Sequence, residues 1–422
     1  MAPPAVAGAP DVPAGTGPAE SPTLRRVGRG DLCAGCGACA GIAPRAVTMR
    51  RAAPGFLRPD QTAPLTPAQE DAIAAACPGL GQAVDPAGRT DDALWGPWVA
   101  AWTGHATDAA TRHAGASGGA LTAILAHLMR SGTVDAVVTN APDPERPLAN
   151  RAVIVSDPAD LAATAGSRYA PSAPLALLPL LRRDGRRFAV VGKPCDAAAL
   201  AALRASDPGL ARAVPVVLSF FCAGVPSEAG AREVLRRLGA PPGETVAFRY
   251  RGNGWPGRAT ATTRDGTERS MSYHDSWGGV LSRHVQTRCK LCADGTGTAA
   301  DIVCADAWET DAAGYPLFDD APGRSLILAR TSRGRALVDA ARSAGAIAVA
   351  PFDMAALAAI QPGQRERRRA LVARLAALRL LGRPAPRYRG LGLWRVARQN
   401  RPDRLARNFV GTLRRVLRQV RA

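Results

Sequence analysis

Nine cysteines stand in a chain of 422 residues, and eight of them fall into two patterned sets. Cys33, Cys36 and Cys39 form a C-x2-C-x2-C run, Cys33-Ala34-Gly35-Cys36-Gly37-Ala38-Cys39. At that spacing three thiolates converge from one turn of chain, and the glycines let backbone amides approach inorganic sulfide. This is the loop that wraps one face of a 4Fe–4S cluster. The second set is dispersed. Cys195 follows the apolar run 188–192, Cys222 follows the run 214–221, and Cys289 and Cys292 form a C-x2-C knuckle. Two shells of four use eight thiols and leave Cys304 as a buried structural thiol. Zinc, or a labile three-cysteine site, competes for the first run, although zinc loops pair two C-x2-C knuckles rather than set three cysteines in a row.

In bacterial ferredoxins a fourth cysteine follows such a run after three residues and precedes a proline. Here that position is Ala43, with Pro44 behind it. The fourth ligand to a ferredoxin trio comes from a remote Cys-Pro, and Cys77-Pro78 is the only other Cys-Pro in the chain. Cys77 is therefore expected to close the first shell.

The sequence opens on MAPPAVAGAPDVPAG, without a basic or an apolar signal region, and reads as an Ala/Pro/Gly leader. No run reaches the roughly 18 apolar residues that span a bilayer. The expectation is a cytoplasmic protein in a reducing compartment, where cysteines serve metal or redox chemistry rather than disulfides. The net charge of +19 is concentrated at one end: from Arg365 onward 18 arginines face only Glu366 and Asp403, a local balance of +16. Such a tail could touch an acidic protein or an anionic membrane surface, or could be a solvated helical extension. No nucleic-acid motif accompanies it, so no nucleic acid is expected as a partner. Only two lysines occur, Lys193 and Lys290, each beside a cysteine of the second set. A compact point charge near a cofactor is a reason to keep lysine where arginine is used elsewhere.

These residues need a scaffold. A disordered leader (1–24) is expected before a small ferredoxin-like cysteine module (25–80). Between 95 and 353 short apolar runs alternate with helix-like segments. The runs 98–104, 136–140, 152–156, 188–192, 214–221 and 325–330 read as strands, and 334–345 as a helix. That alternation predicts an α/β core with a mixed, largely parallel sheet. Segments 245–252 and 258–268 read as antiparallel hairpin material. The tail, 364–422, reads as two basic helices. Cys195 and Cys222 then sit where open α/β sheets collect cofactors, at the carboxyl ends of strands.

A second set of residues suits a phosphate-bearing cofactor. Ser117-Gly118-Gly119 precedes a helix carrying Thr122, and a helix start of this kind presents free N–H groups and a positive dipole end. Ser167, Arg168 and Tyr169 offer a hydroxyl, a guanidinium and a ring. Asn253 and Trp255 lie in a Gly/Pro turn. Simple capping and turn formation explain each of these motifs equally well in isolation. His113, Tyr169 and His274 are candidate proton donors, each with a structural reading beside it.

Together, SGGALTAIL, GSRYAPS, GKPCDAAAL, FFCAGVPS, NGWPG and RCKLCADGTGTAADIVCADAW resemble the coenzyme F420 hydrogenase/dehydrogenase beta-subunit family, over roughly Leu32 to Asp353. The resemblance implies FAD, one or two 4Fe–4S clusters and two-electron reduction or oxidation of a conjugated cyclic substrate such as coenzyme F420. It carries a cluster onto Cys195, Cys222, Cys289 and Cys292. It places Ser117, Gly118, Gly119 and Thr122 at the flavin phosphates, with Ser167, Arg168 and Tyr169 nearby. Lys193 stands where members often have a small residue, and is expected to stabilise an anionic reduced flavin or substrate. A non-catalytic electron-transfer subunit is the rival reading, docking a redox partner such as a ferredoxin or another oxidoreductase subunit through the tail.

Overall fold

The computed structural model describes residues 19–311, 317 and 319–421. The expected leader lies outside the described residues as far as residue 18. Within its last positions the chain is already ordered: the Ser21 hydroxyl accepts from the Leu24 amide at 3.1 Å and caps a helix, Pro22–Arg29, that opens on a proline. The folded module thus starts before residue 25, the expected boundary, because Ser21 and Pro22 make a helix start out of what composition alone marks as linker.

The N-terminal module holds an antiparallel hairpin, Val47–Ala52 with Phe56–Gln61, and the helices Ala38–Ile42 and Pro67–Ala76. The longer helix starts at a capping box of Thr66 and Gln69. It stops at Cys77, whose extended backbone is what a following proline favours.

The core is an eight-stranded mixed sheet. Its strands in chain order are β1 (Ala100–Ala106), β2 (Ala136–Pro142), β3 (Asn150–Val155), β4 (Phe188–Gly192), β5 (Val216–Phe220), β6 (Ile302–Asp306), β7 (Ser325–Ala329) and β8 (Ile347–Pro351). Their spatial order is β8-β1-β7-β6-β5-β4-β2-β3. The central run β6-β5-β4-β2 is parallel, and antiparallel strands flank it on both sides. Every residue of β4 and β7 is buried, as strands covered on both faces must be. The helices Ala120–Arg130 and Ser332–Ser343 cover one face, with Ile124, Leu128 and Val338 inward. The helix Pro194–Ser206 covers the other with Leu200 and Leu203. A separate antiparallel sheet of Thr245–Arg249, Arg258–Thr263 and Glu268–Ser272 matches the hairpin expectation, with Arg258–Thr263 in the middle.

The C-terminal segment departs from a solvated extension. Its first helix, Pro362–Leu380, buries Leu371, Leu375 and Leu378 against Val27, Leu32, Leu291 and Ala293. The buried guanidinium of Arg368 on that helix donates to the carbonyls of Ala93, Ala293 and Leu391. A short strand, Arg387–Arg389, pairs in parallel with Gly81–Ala83, and a last helix, Pro402–Arg421, packs on the first. The tail is part of the body because leucines spaced along an arginine-rich helix still form an apolar stripe. Among the described residues no helix is long and apolar enough to cross a membrane.

Candidate functional site

The glycines of the first cysteine run set its shape. Gly35 (φ 75°) and Gly37 (φ 84°) take the left-handed conformation, which turns the chain tightly enough to bring three side chains to one side. Cys33, Cys36, Cys39 and Cys77 all line a single cavity, otherwise walled by apolar side chains including Leu24, Val27, Ile42, Met49 and Ile73. Ala43 is fully buried elsewhere, in a small cluster with Ala40, Ala46 and Val47, and does not line that cavity. Burial raises the thiols: Cys39 to about 12 and Cys77 to about 11. Taking up metal would therefore release protons.

The second set forms at the carboxyl ends of the parallel strands. Cys195 opens the helix after β4, and Cys222 follows β5, its amide donating to the Gly295 carbonyl at 2.8 Å. Cys222 has Cys195, Cys289 and Cys292 as electrostatic neighbours, and burial pushes its thiol up to about 12. The Cys289 sulfur accepts from the Val225 amide (3.4 Å) and from Gln286 Nε2 (3.5 Å). Cys304 lies in β6, 3% exposed within the core, with no cysteine among its neighbours. Among the described residues no three His, Cys, Asp or Glu side chains converge on one ion. A four-iron cluster does not demand such convergence, because each of its thiolates binds a different iron. The donor sets, four thiols in an apolar cavity and four among the cationic side chains Lys193, Arg288 and Arg367, fit 4Fe–4S clusters, which are anionic.

The two sets adjoin. Cys36 and Cys195 are electrostatic neighbours, and Lys193 faces both. The Lys193 ammonium donates to Asp196 Oδ2 at 2.8 Å, to Ser172 Oγ at 2.9 Å and to the Ser172 carbonyl at 3.1 Å. Burial alone would lower its pKa, but the Asp196 carboxylate and the neighbouring thiols raise it and hold it charged. Asp196 Oδ1 has no partner. On the opposite flank Arg288 donates to the Pro78 carbonyl at 2.6 Å, and Gln286 Nε2 to the Ala34 carbonyl at 3.4 Å. The knuckle segment is thus fastened to both loops of the first shell.

The remaining motifs meet at a second locus. Gly118 (φ 82°) and Gly119 (φ 69°) are left-handed, and a Cβ on either would run into the backbone of Gly323 or Thr111. Gly119 caps the helix Ala120–Arg130 without a side-chain hydrogen bond, and the N–H groups of such a first turn can receive an anion. That arrangement fits a cofactor phosphate, and Ser117 and Thr122 flank it, half-buried. The Gly254 amide donates to the His113 carbonyl at 2.9 Å, while the His113 ring itself is exposed. Gly166 lies against the Arg251 carbonyl, which brings Ser167 and Tyr169 to the same place. Arg168 is spent otherwise: four of its N–H groups go to Asn150 Oδ1 and to the carbonyls of Phe248, Pro147 and Ala149. Asn253 (φ 55°) accepts from Arg249. Trp255 stacks on Trp308 at 4.8 Å and donates its indole N–H to Asp306 at 2.8 Å.

Sequence reasoning did not single out the group at the centre of this locus. Arg251, 2% exposed, lies over the rings of Tyr273 and Trp308 and holds Asp306 with two hydrogen bonds. Burial raises the Tyr169 hydroxyl; Arg251, Asp306 and Ser167 are its neighbours. A signal was available in NGWPG and VCADAW, which share no periodicity but are both dense in groups that need partners. Beside this locus opens a cleft of about 820 Å3 between core and tail. Its walls include Tyr273, His274, Trp277, Trp308 and Cys289, and the tail arginines Arg367, Arg374, Arg404 and Arg407.

Two comparisons bear on this arrangement. Residues 101–179 match the family model for the N-terminal part of the coenzyme F420 hydrogenase/dehydrogenase beta subunit, and residues 185–355 match the model for its C-terminus. A chain of the F420-reducing NiFe hydrogenase complex from Methanosarcina barkeri is similar in fold, at 18% identity and a TM-score of 0.53, over 68% of this chain and 96% of that one. All four thiols of the first set and the C-terminal helices lie outside the spans matched by the two family models.

Proposed function

The chain belongs to the coenzyme F420 hydrogenase/dehydrogenase beta-subunit family of oxidoreductase subunits, and from that premise we propose that it is an iron–sulfur flavoprotein. It passes electrons between two 4Fe–4S clusters and FAD, and reduces or oxidises a conjugated cyclic substrate such as coenzyme F420 or a related compound. The observation that carries this reading is the adjacency of two four-thiol groups, one of which opens through Cys289 on the cleft walled by Tyr273 and Trp308. When bound, the clusters supply single electrons and the flavin supplies hydride chemistry.

The chain's own residues divide the work. Cys33, Cys36, Cys39 and Cys77 hold one cluster, and Cys195, Cys222, Cys289 and Cys292 the other. The amides after Gly119, with Ser117, Gly118 and Thr122, seat the flavin phosphates, and Ser167, Asn253 and Trp255 shape the pocket around the ring. Tyr169, kept protonated by burial, holds a proton at its hydroxyl beside Arg251; His113 and His274 are its alternates. The substrate takes the cleft of about 820 Å3, where aromatic side chains suit a planar ring and the arginines suit anionic groups. Cytoplasmic location is part of this reading.

The test is an anaerobic visible spectrum with iron, sulfide and flavin quantified per chain. About eight irons and one FAD support the reading; zinc without flavin removes it. A wiring subunit without its own substrate is the second reading. It is favoured by the exposed apolar side chains Leu380, Trp394, Val410 and Leu417, which sit among arginines on the C-terminal segment as a face for an acidic redox partner. Turnover with artificial donors in the absence of any partner protein separates the two.

A further inference from the structure

Arg288 is 3% exposed and no carboxylate pairs with it among the described residues. Other buried arginines are compensated. Arg251 holds Asp306, and Arg330 spends two nitrogens on four carbonyls, leaving only its Nε without a partner. Arg288 donates from Nη2 to the carbonyl of Pro78, the residue after Cys77, and has the Tyr388 hydroxyl as a further polar neighbour. Its Nε and Nη1 are buried without a partner. A buried guanidinium left in this state is costly, because a charge taken out of water must be repaid by an opposite charge and its N–H groups by acceptors.

The surroundings say what repays it. Arg288 precedes Cys289 directly, and its electrostatic neighbours are Tyr388, then Cys292, Cys195 and Cys289 of the second set, with Cys33 and Cys77 of the first. Tyr388, from the C-terminal segment, closes the remaining face, its ring 6.0 Å from the guanidinium carbon. Two four-thiolate shells filled with iron and sulfide are anionic and rich in sulfur acceptors.

We propose that Arg288 is a cation shared by both clusters, its orphan Nε–H and Nη1–H groups donating to cluster or thiolate sulfur while its charge favours the reduced state of each. It is a positioning residue that acts through the clusters, and the inference rests on the two-cluster reading above. One guanidinium beside two electron carriers raises the potential of each, so removing its charge moves both in the same direction.

The experiment compares wild type with Arg288→Gln and Arg288→Lys, reconstituted anaerobically. Iron and sulfide are counted first, then each cluster is titrated potentiometrically with electron paramagnetic resonance detection. Wild type without two clusters would sink the two-cluster reading itself, and the shared cation with it. With both clusters loaded, Arg288→Gln is expected to lower the reduced-to-oxidised ratio of each at a fixed potential about tenfold, about 59 mV for one electron. Arg288→Lys keeps the charge and is expected to move both by less. Should the glutamine variant lose its iron, the lysine variant carries the test through the same paired downward shift. Unchanged potentials, or a shift in one cluster only, would overturn the shared role.

Discussion

Arg251 grips Asp306 face on, Nη1 to Oδ2 at 2.8 Å and Nη2 to Oδ1 at 2.7 Å, so the turn of the small antiparallel sheet is tied to the end of β6. The same guanidinium donates to the Pro256 carbonyl and covers two aromatic rings. This planar fork makes one rigid unit of segments more than fifty residues apart in sequence. Both rings, Tyr273 and Trp308, also wall the large cleft.

Asp306→Ala leaves the Arg251 charge buried and unpaired. The expected cost is about 3–5 kcal/mol of stability, read as a drop in denaturation midpoint. A drop of less than about 1 kcal/mol would mean that water reaches the guanidinium and that the pair is peripheral.

Lys193→Met strands the Asp196 carboxylate, whose Oδ1 already lacks a partner. Stability is expected to fall by a similar amount, about 3–5 kcal/mol, with a loss of retained iron because Lys193 faces Cys36 and Cys195. Unchanged iron retention would confine Lys193 to packing.

Cys77→Ser is expected to remove about four of eight irons per chain, with a matching loss of visible absorbance. Adding Ala43→Cys to that variant is expected to restore nothing, because position 43 points into its own apolar cluster rather than the cysteine cavity. Restoration would show that the ferredoxin spacing, not the remote Cys-Pro, governs the shell.

Glu70 accepts from Ser21 Oγ at 2.5 Å and from the Thr23 amide at 2.8 Å, tying the first helix to the one that ends at Cys77. Burial works against its ionisation, but these hydrogen bonds hold the carboxyl below its usual 4.5. The unfolded chain therefore binds this proton more readily, and the contribution is full above about 4.5 and lost as pH falls through the lower folded value. Glu70→Gln is expected to cost about 1–2 kcal/mol at neutral pH and to flatten the acid limb of the stability profile.

Truncation after Gln364 is expected to give insoluble protein, since it removes Leu371, Leu375 and Leu378 from the core they share with Leu32 and Leu291. Arg398→Glu with Arg414→Glu, both on exposed positions, tests the tail's charge without opening that core. The expected outcome is an unchanged melting temperature and weaker, salt-sensitive binding to an acidic redox partner.

The sequence by itself determined the local features. Cysteine spacing marked the first run and the knuckle as candidate ligands, since a C-x2-C-x2-C run and a C-x2-C pair are short-range statements about which thiols can converge; Cys195 and Cys222 were legible only from their places after strands and from the family resemblance. Continuous apolar runs located β2, β4, β5 and β7 within a residue or two, because strands buried on both faces need no alternation. It also carried the family, through motifs whose order is preserved along the chain. It missed β8, an edge strand whose burial pattern is too mixed to read as a strand buried on both faces, and β6, hidden inside a motif read for its cysteine. What only the tertiary structure decided was partnership. That Cys77 rather than position 43 lines the first cavity, that Arg168 is consumed by carbonyls, that Arg251 finds Asp306 while Arg288 finds no acid, and that an arginine-rich tail buries its leucines in the body all depend on residues far apart in sequence. Pattern registers a side chain's own preference for water or for its neighbours along the chain; the compensation of a buried charge is supplied across space, and only folding specifies by what.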